Sequence, residues 1–211
     1  MQLTNYYWYF KSAIPERICD EIVRYGKQLQ DQIAVTGGFG DAKKLNQNQM
    51  KDLKKKRDSD IVWMNDRWIY KEIQPYINQA NADAGWNFQW DFSESCQFTK
   101  YNKGQYYDWH SDGWDQPYWR ENQNDPSHGK IRKLSVTVSL SEGGKDYTGG
   151  ELEFDFRNSD PDKKRNVMKC KDILSKGSLV VFPGFVWHRV CPVKKGTRHS
   201  LVIWNLGWPY K

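Results

Sequence analysis

Two histidines and an aspartate are the residues in this chain best suited to chemistry. His110 and Asp112 sit in Gln105-Tyr-Tyr-Asp-Trp-His-Ser-Asp-Gly113, and His188 follows much later. If Tyr106–Asp112 is a strand, side chains repeat every two residues, so His110 and Asp112 leave from one face. A neutral imidazole beside a carboxylate is a two-point metal ligand. A second imidazole from a neighbouring strand completes a set on one side of an ion. The opposite positions stay open, which suits a ferrous ion that must take up small molecules. Strand parity admits Asp108 as well as Asp112, since each is two residues from His110. Gly113, which lets the chain leave the sheet, favours Asp112. Short motifs of this kind recur by chance, so the triad needs support from residues in register with it.

Arg198 gives that support. It opens the last expected strand, where a guanidinium can point into the same barrel mouth and grip a carboxylate bidentately. Ser200 shares its face. A metal with open positions near a buried arginine suits a dicarboxylic keto acid, with its keto end on the ion and its far carboxylate on the arginine. His199 alternates away from Arg198 and is expected outside the site, facing outward or packed in the core. His128 is expected in solvent, within a loop.

These residues need strands to hold them. Phe88, Trp90 and Phe92 alternate, Ser95–Tyr101 leads through Gly104 into Tyr106–Asp112, and Leu134, Val136, Val138 and Leu140 alternate with Ser135, Thr137 and Ser139. Glu151–Phe156, Ser178–Pro183, Val186–Val190 and Arg198–Leu206 complete about eight strands, broken at Gly149-Gly150, Pro183-Gly184 and Pro192–Gly196. Two polar inserts interrupt them. Arg157–Asp172 is one; Gly113–Gly129, carrying Trp114, Tyr118 and Trp119, has the length of a mobile lid.

Ahead of the strands, Ile18, Ile22, Tyr25, Leu29 and Ile33 mark a helix opened by Pro15 and Glu16 and closed by Gly37–Gly40. Ile69, Ile73, Ile77 and Ala80 mark a second helical region from Asp66 to Gly85, which Pro75 should divide. Thr36–Asp60 between them is polar and reads as a mobile flap. The fold class expected is mainly β with N-terminal helices, a double-stranded β-helix or jelly roll. It forms one domain over 1–211, with helical support and flap in 1–85 and the jelly-roll core in 86–211.

Composition narrows the function. The formal net charge is +6, yet Lys43–Arg57 alone carries seven basic residues against one aspartate. The rest of the chain is therefore neutral, which argues against a nucleic-acid-binding face. The Lys54–Arg57 run reads as solvated charge. No apolar run is long enough to cross a membrane, and no signal peptide is evident. Four scattered cysteines, with no Cys-x-x-Cys, fit reduced thiols in a cytoplasmic protein.

The blocks from Cys96 to Trp204 resemble the Fe(II)/2-oxoglutarate-dependent oxygenases, in particular their prolyl-4-hydroxylase-like branch and PKHD-type hydroxylases. Tyr101, Gly104, Tyr107, His110 and Asp112 fit that branch's Tyr-x-x-Gly-x-x-Tyr-x-x-His-x-Asp. Leu134-Ser135-x-Thr137, Tyr147-x-Gly149-Gly150-Glu151-Leu152 and Ser178–Pro183 resemble its next strands, and His188, Val190, Pro192-Val193, Gly196 and Arg198 its distal block. Trp204 stands where PKHD-type proteins have a tryptophan. The resemblance implies Fe(II) on His110, Asp112 and His188, and 2-oxoglutarate on the metal and Arg198, with Tyr101 and Ser200 assisting. It implies O2 as oxidant, ascorbate as a further small-molecule requirement, and hydroxylation of a C–H bond in a protein or peptide residue such as proline, or in a small molecule. The two inserts and the Lys-rich flap depart from the family pattern. An AlkB-like nucleic-acid demethylase is one alternative, but such enzymes carry an arginine where Trp204 stands. A metal-binding jelly roll without catalysis is the other, and it would not need Arg198.

Overall fold

The computed structural model describes residues 3–36, 39, 41–113, 116–156 and 164–210. The chain enters through β1 (Trp8–Phe10) and α1 (Glu16–Gln28), then runs through β2 (Gln32–Ile33), α2 (Gln47–Lys56), β3 (Arg57–Asp58) and β4 (Asp60–Met64) to α3 (Arg67–Asp83). Strands follow: β5 (Phe92–Ser93), β6 (Cys96–Tyr101), β7 (Tyr106–His110), β8 (Ile131–Ser139), β9 (Tyr147–Gly149) and β10 (Leu152–Asp155). The last are β11 (Val167–Lys169), β12 (Leu179–Pro183), β13 (Trp187–Val190), β14 (Val193–Gly196) and β15 (Arg198–Gly207). The larger sheet has the order β1-β12-β8-β15-β6-β4-β2, with β5 against one end of β15. The smaller is β11-β10-β13-β7-β3, and β14 and β9 form a separate ribbon. The strand pairs are antiparallel, as a jelly roll requires.

Alternation along β15 explains the layering. Leu201 and Ile203 are fully buried among Ile18, Ile22, Ile69, Ile73 and Ile77 of α1 and α3, so the helices cover the outer face of the larger sheet. Arg198, Ser200, Val202 and Trp204 point the other way and line a cavity between the two sheets. Gln97 and Tyr101 of β6 and Thr137 of β8 share that face. A second apolar cluster, including Phe154, Val180, Phe182 and Val190, closes the remaining space between the sheets.

The first 85 residues depart from the helix-and-flap expectation in three places. α1 stops at Gln28, because Leu29 is extended and Gln32–Ile33 pairs with Ile61 and Asp60 as an edge strand. Ile33 remains 43% exposed, so the far end of its apolar stripe had no core to fill. α3 runs unbroken through Pro75, which lies on the exposed side of the helix. The carbonyl that loses its amide partner there faces water, so the penalty stays small. The stretch taken as a flap holds a short 3-10 turn (Ala42–Lys44), then α2, β3 and the start of β4. Asn46 opens α2 with a reciprocal capping box to Gln49. Of the glycines expected to end α1, Gly37, Gly38 and Gly40 lie outside the described residues. Phe88 and Trp90 also fall outside any strand, and β5 is only Phe92–Ser93.

Candidate active site

The two histidines sit on adjacent strands of the smaller sheet, with His188 of β13 directly across from His110 of β7. The next pairing is Val190 with Tyr107, so two residues of β13 are matched against three of β7 by a β-bulge. The bulge breaks strict alternation. Tyr107, three residues before His110, stacks on its ring with centroids 3.5 Å apart. Asp108, which parity would put on the face of His110, is exposed at the cavity mouth. β7 ends at His110, two residues short of the expected strand. Asp112 is held just beyond it, where its amide and that of Gly113 both donate to the Gly184 carbonyl, at 2.9 and 2.7 Å. A Cβ on Gly113 would come within 3.2 Å of the Gly184 backbone, so glycine eases the close approach of the two turns.

The ligand atoms converge. His110 Nε2 is 3.6 Å from Asp112 Oδ1, and His188 Nε2 is 3.6 Å from Oδ2. One ligand atom from each of the three residues lies within 4.8 Å of the others. His110 Nδ1 is 2.8 Å from the Asp108 carbonyl and His188 Nδ1 is 3.0 Å from that of Val186. A carbonyl accepts only, so each Nδ1 carries the proton and each Nε2 presents its lone pair to the shared space. Burial, reinforced by His188, holds the His110 pKa well below its ordinary value and so keeps the ring neutral. Burial works against charge on Asp112, but His188, His110 and Arg132 outweigh it and hold the carboxyl at about 2. Two imidazoles with Nε2 turned inward and one carboxylate on one side of a space fit a ferrous ion with open positions.

Arg198 stands across the same cavity, 2% exposed. Its Nη1 donates to Ser200 Oγ at 3.1 Å, and the guanidinium lies 5.5 Å from the Tyr101 ring centroid. Gly150 leaves room for it, since a Cβ there would sit 3.1 Å from Arg198 Cδ. No carboxylate pairs with Arg198 among the described residues. The geometry therefore brings His110, Asp112, His188, Arg198, Tyr101 and Ser200 into one chamber.

Sequence reasoning missed Arg57. Read as the end of a solvated lysine run, it is 4% exposed and lines the chamber. Its guanidinium stacks on Tyr107 at 4.4 Å and donates to Gln97 Oε1 at 2.7 Å and Ser59 Oγ at 2.9 Å. Two periods of two could have shown it: Arg57-x-Ser59 entering a strand, and the polar Gln97-x-Thr99 facing inward on β6. His199 is a packed core histidine stacked on Phe98, outside the site. His128 is half-buried and accepts the Arg120 amide at 3.1 Å, so it is not simply solvated. Of the expected lid, Gly113 lines the cavity mouth, but 116–129 do not; Tyr118, Ser127 and Gly129 fold that stretch back on Lys130 and on itself. Trp114 lies outside the described residues, as do residues 157–163 of the second insert. The rest of that insert contributes β11 and a 3-10 turn.

The sequence model of the 2OG-Fe(II) oxygenase superfamily matches residues 96–205, just over half the chain and every residue of the chamber except Arg57. The chain belongs to that superfamily. The oxygenase is thus a 2-oxoglutarate-dependent dioxygenase that uses Fe(II), 2-oxoglutarate and O2. No curated protein sequence matches it. Its fold is similar to a viral collagen prolyl hydroxylase from Paramecium Bursaria Chlorella virus-1, solved with 2OG, at 20% identity and TM-score 0.64, covering 97% of each chain. A Pseudomonas putida prolyl-4-hydroxylase superposes with TM-score 0.65 at 18% identity, covering 96% of this chain and 93% of that one. A Trichoplax adhaerens prolyl hydroxylase in complex with a hypoxia inducible factor oxygen degradation domain peptide fragment gives 0.64 at 17%, covering 96% and 84%. Among the described residues of the oxygenase, no helix is long and apolar enough to cross a membrane.

Proposed function

We propose that the oxygenase hydroxylates a C–H bond of a peptide residue, proline first among the candidates, as a prolyl-4-hydroxylase-like enzyme of PKHD type. His110, Asp112 and His188 hold Fe(II), which when bound couples decarboxylation of 2-oxoglutarate to succinate and CO2 with insertion of one oxygen atom into the substrate. Arg198 takes the far carboxylate of 2-oxoglutarate, Ser200 steadies the guanidinium, and Tyr101 packs along it.

The observation that carries this assignment is the guanidinium of Arg198, which has no carboxylate partner among the described residues. A buried charge without a counter-ion is costly, and a dicarboxylate ligand supplies the missing anion in the chamber that holds the metal ligands. Burial also excludes water, so the oxidising step is confined to what enters from the mouth. Support for a peptide comes from that mouth. A cavity of about 600 Å³ opens from His110 and Asp112 past Trp204, Trp63, Trp109 and Trp187, wide enough for a side chain with backbone on either side. Four cysteines without a disulfide support a cytoplasmic setting, and the family resemblance supports a requirement for ascorbate.

The test is coupled turnover. With Fe(II), ascorbate and 2-oxoglutarate, proline-containing peptides should gain one oxygen (a mass increase of about 16 Da, one inserted oxygen atom) in step with succinate. Steady succinate formation without any oxidised peptide would retain the oxygenase and overturn the peptide substrate.

A further inference from the structure

Turnover of 2-oxoglutarate leaves the lysine-rich arm without a task, although it carries the whole formal charge of the protein. Seven basic residues less one aspartate give +6 for Lys43–Arg57, equal to the +6 of the full chain. Folding concentrates this charge and fixes it at the site. The Tyr106 hydroxyl bridges the Lys54 and Lys55 carbonyls, 3.0 Å from each, and so closes the C-terminal end of α2. Leu53 is fully buried beneath the helix. β3 then pairs with β7, Arg57 opposite Tyr107, on the strand that ends in His110.

Most of the acidic groups near the arm are already engaged. Asp52 pairs with Lys55 and Asp58 with Lys54, Asp41 caps the Lys43 amide, and Asp60 accepts from Asn102 and Gln105. Lys43, Lys44, Lys51 and Lys56 are exposed and make no direct ion pair among the described residues, although Asp52 lies in the field of Lys56. At the mouth the lining cations are Lys56, Arg57 and Arg132, the last paired with Glu94; the anions are Asp108 and the metal ligand Asp112. A second groove of about 560 Å³, lined by Lys43, Asp31 and Asp41, shares Val35 and Trp63 with the mouth. Asp31 is bound to Lys100. One cleft thus runs from the metal ligands past Trp63 to Lys43, with Lys56 lining its inner part and Lys43 its outer part.

We propose that the oxygenase selects acidic polypeptide segments, with Glu or Asp residues that flank the oxidised position lying against Lys56 of α2 and Lys43, and with exposed Lys51 adding to the field. This rests on the peptide-hydroxylase reading but is tested by binding, so the two can fail separately. The probes are labelled peptides with one central proline flanked by Glu, Gln or Lys, titrated by fluorescence anisotropy into the full chain loaded with Mn(II) and 2-oxoglutarate under argon. The Glu peptide should bind about tenfold more tightly than the Gln peptide and the Lys peptide least, with the preference fading between about 0.05 and 0.3 M salt.

Lys43→Glu/Lys51→Glu/Lys56→Glu should reverse that order, and the milder Lys→Gln triple should abolish it. Arg17→Glu/Arg24→Glu/Lys71→Glu makes the same charge change on exposed positions of α1 and α3 and should leave the order intact. Equal affinity for the three peptides overturns the proposal, as does an unchanged order in the Lys→Gln triple. Tighter binding of a single-stranded oligonucleotide of equal charge, lost in the same triple, would make the arm a nucleic-acid surface and overturn it too. Peptides that bind as expected but are never oxidised would count against the hydroxylase substrate, not against the acidic preference.

Discussion

At the inner end of the cavity, Asp112 and His188 are 6% exposed and Arg198 is 2% exposed, each fixed by a strand or by backbone hydrogen bonds. At the mouth Trp63 is 43% exposed, and the lysines of α2 reach into water. The two ends obey different physics. Inside, every charge must be matched by geometry, so a single substitution is felt in full. Outside, charges are screened and act as a sum, so the composition of the arm matters more than any one lysine. On the proposed reading, the chemistry is set by a few fixed atoms and the choice of substrate by a field.

Breaking the inner end should give the largest effects. Asp112→Ala removes the carboxylate that both Nε2 atoms face, and succinate formation should fall by roughly 10³-fold or more with the fold retained by circular dichroism. Asp108→Ala should keep most of the activity, because its side chain is exposed and its backbone carbonyl still orients His110. Loss in the second variant and retention in the first would reverse the ligand assignment. Arg198→Ala comes next. Calorimetry with an inert divalent ion should show 2-oxoglutarate affinity reduced about 10²-fold, in the range for removing one partner of a buried charge pair. Equal affinity in both proteins would free Arg198 of its role.

The same division decides what could be read from sequence. His110, Asp112, His188 and Arg198 were legible because each answers to a demand that fixes residue type and spacing. Parity left Asp108 and Asp112 tied, since a bulge between Tyr107 and His110 has no residue signature of its own. α2 was hidden for a related reason. Its buried anchor is Leu53 alone, and without an apolar stripe its stability comes from a capping box and from Tyr106. Arg57 was masked by the three lysines before it. Its burial depends on Tyr107 and Gln97, which are distant in the chain and adjacent only after β3 and β4 pair into their sheets.

The helix-covered back of the larger sheet offers a milder test that should not touch the chemistry. His199 stacks on Phe98 there, and burial, with Lys27 and Lys100 adding to it, lowers its pKa from 6.5 to about 4. The unfolded chain thus binds a proton more readily than the folded one. Stability from this group is complete above about pH 6.5 and is lost as pH falls toward 4. At pH 5.5 the loss should be about 1.4 kcal/mol, one pH unit below the unfolded value. His199→Leu, close in volume and without a titrating group, should lack this component when urea midpoints of the two proteins are compared across pH. Parallel stability profiles would show that folding leaves the proton affinity of His199 unchanged.

The smallest expected effect is also the sharpest on whether mouth and chamber are separable. Asn46 Oδ1 accepts the Gln49 amide at 2.9 Å, and Gln49 Oε1 accepts the Asn46 amide at 3.0 Å. Asn46→Ala removes half of this box and should cost about 1 kcal/mol of α2 stability. Amides in α2 should then exchange about fivefold faster, while those of β7 and β13 and the affinity for 2-oxoglutarate stay as they were. The route by which loosening could spread is short, because α2 leads directly into β3, and β3 sets Arg57 on Tyr107, which packs on His110. That route is held at its inner end by buried hydrogen bonds from Arg57 to Gln97 and Ser59, which do not depend on the cap. Faster exchange confined to α2 would place the boundary between field and fixed atoms at Arg57. A fall in 2-oxoglutarate affinity alongside it would mean that the arm helps to hold the chamber's geometry, and the division between them would collapse.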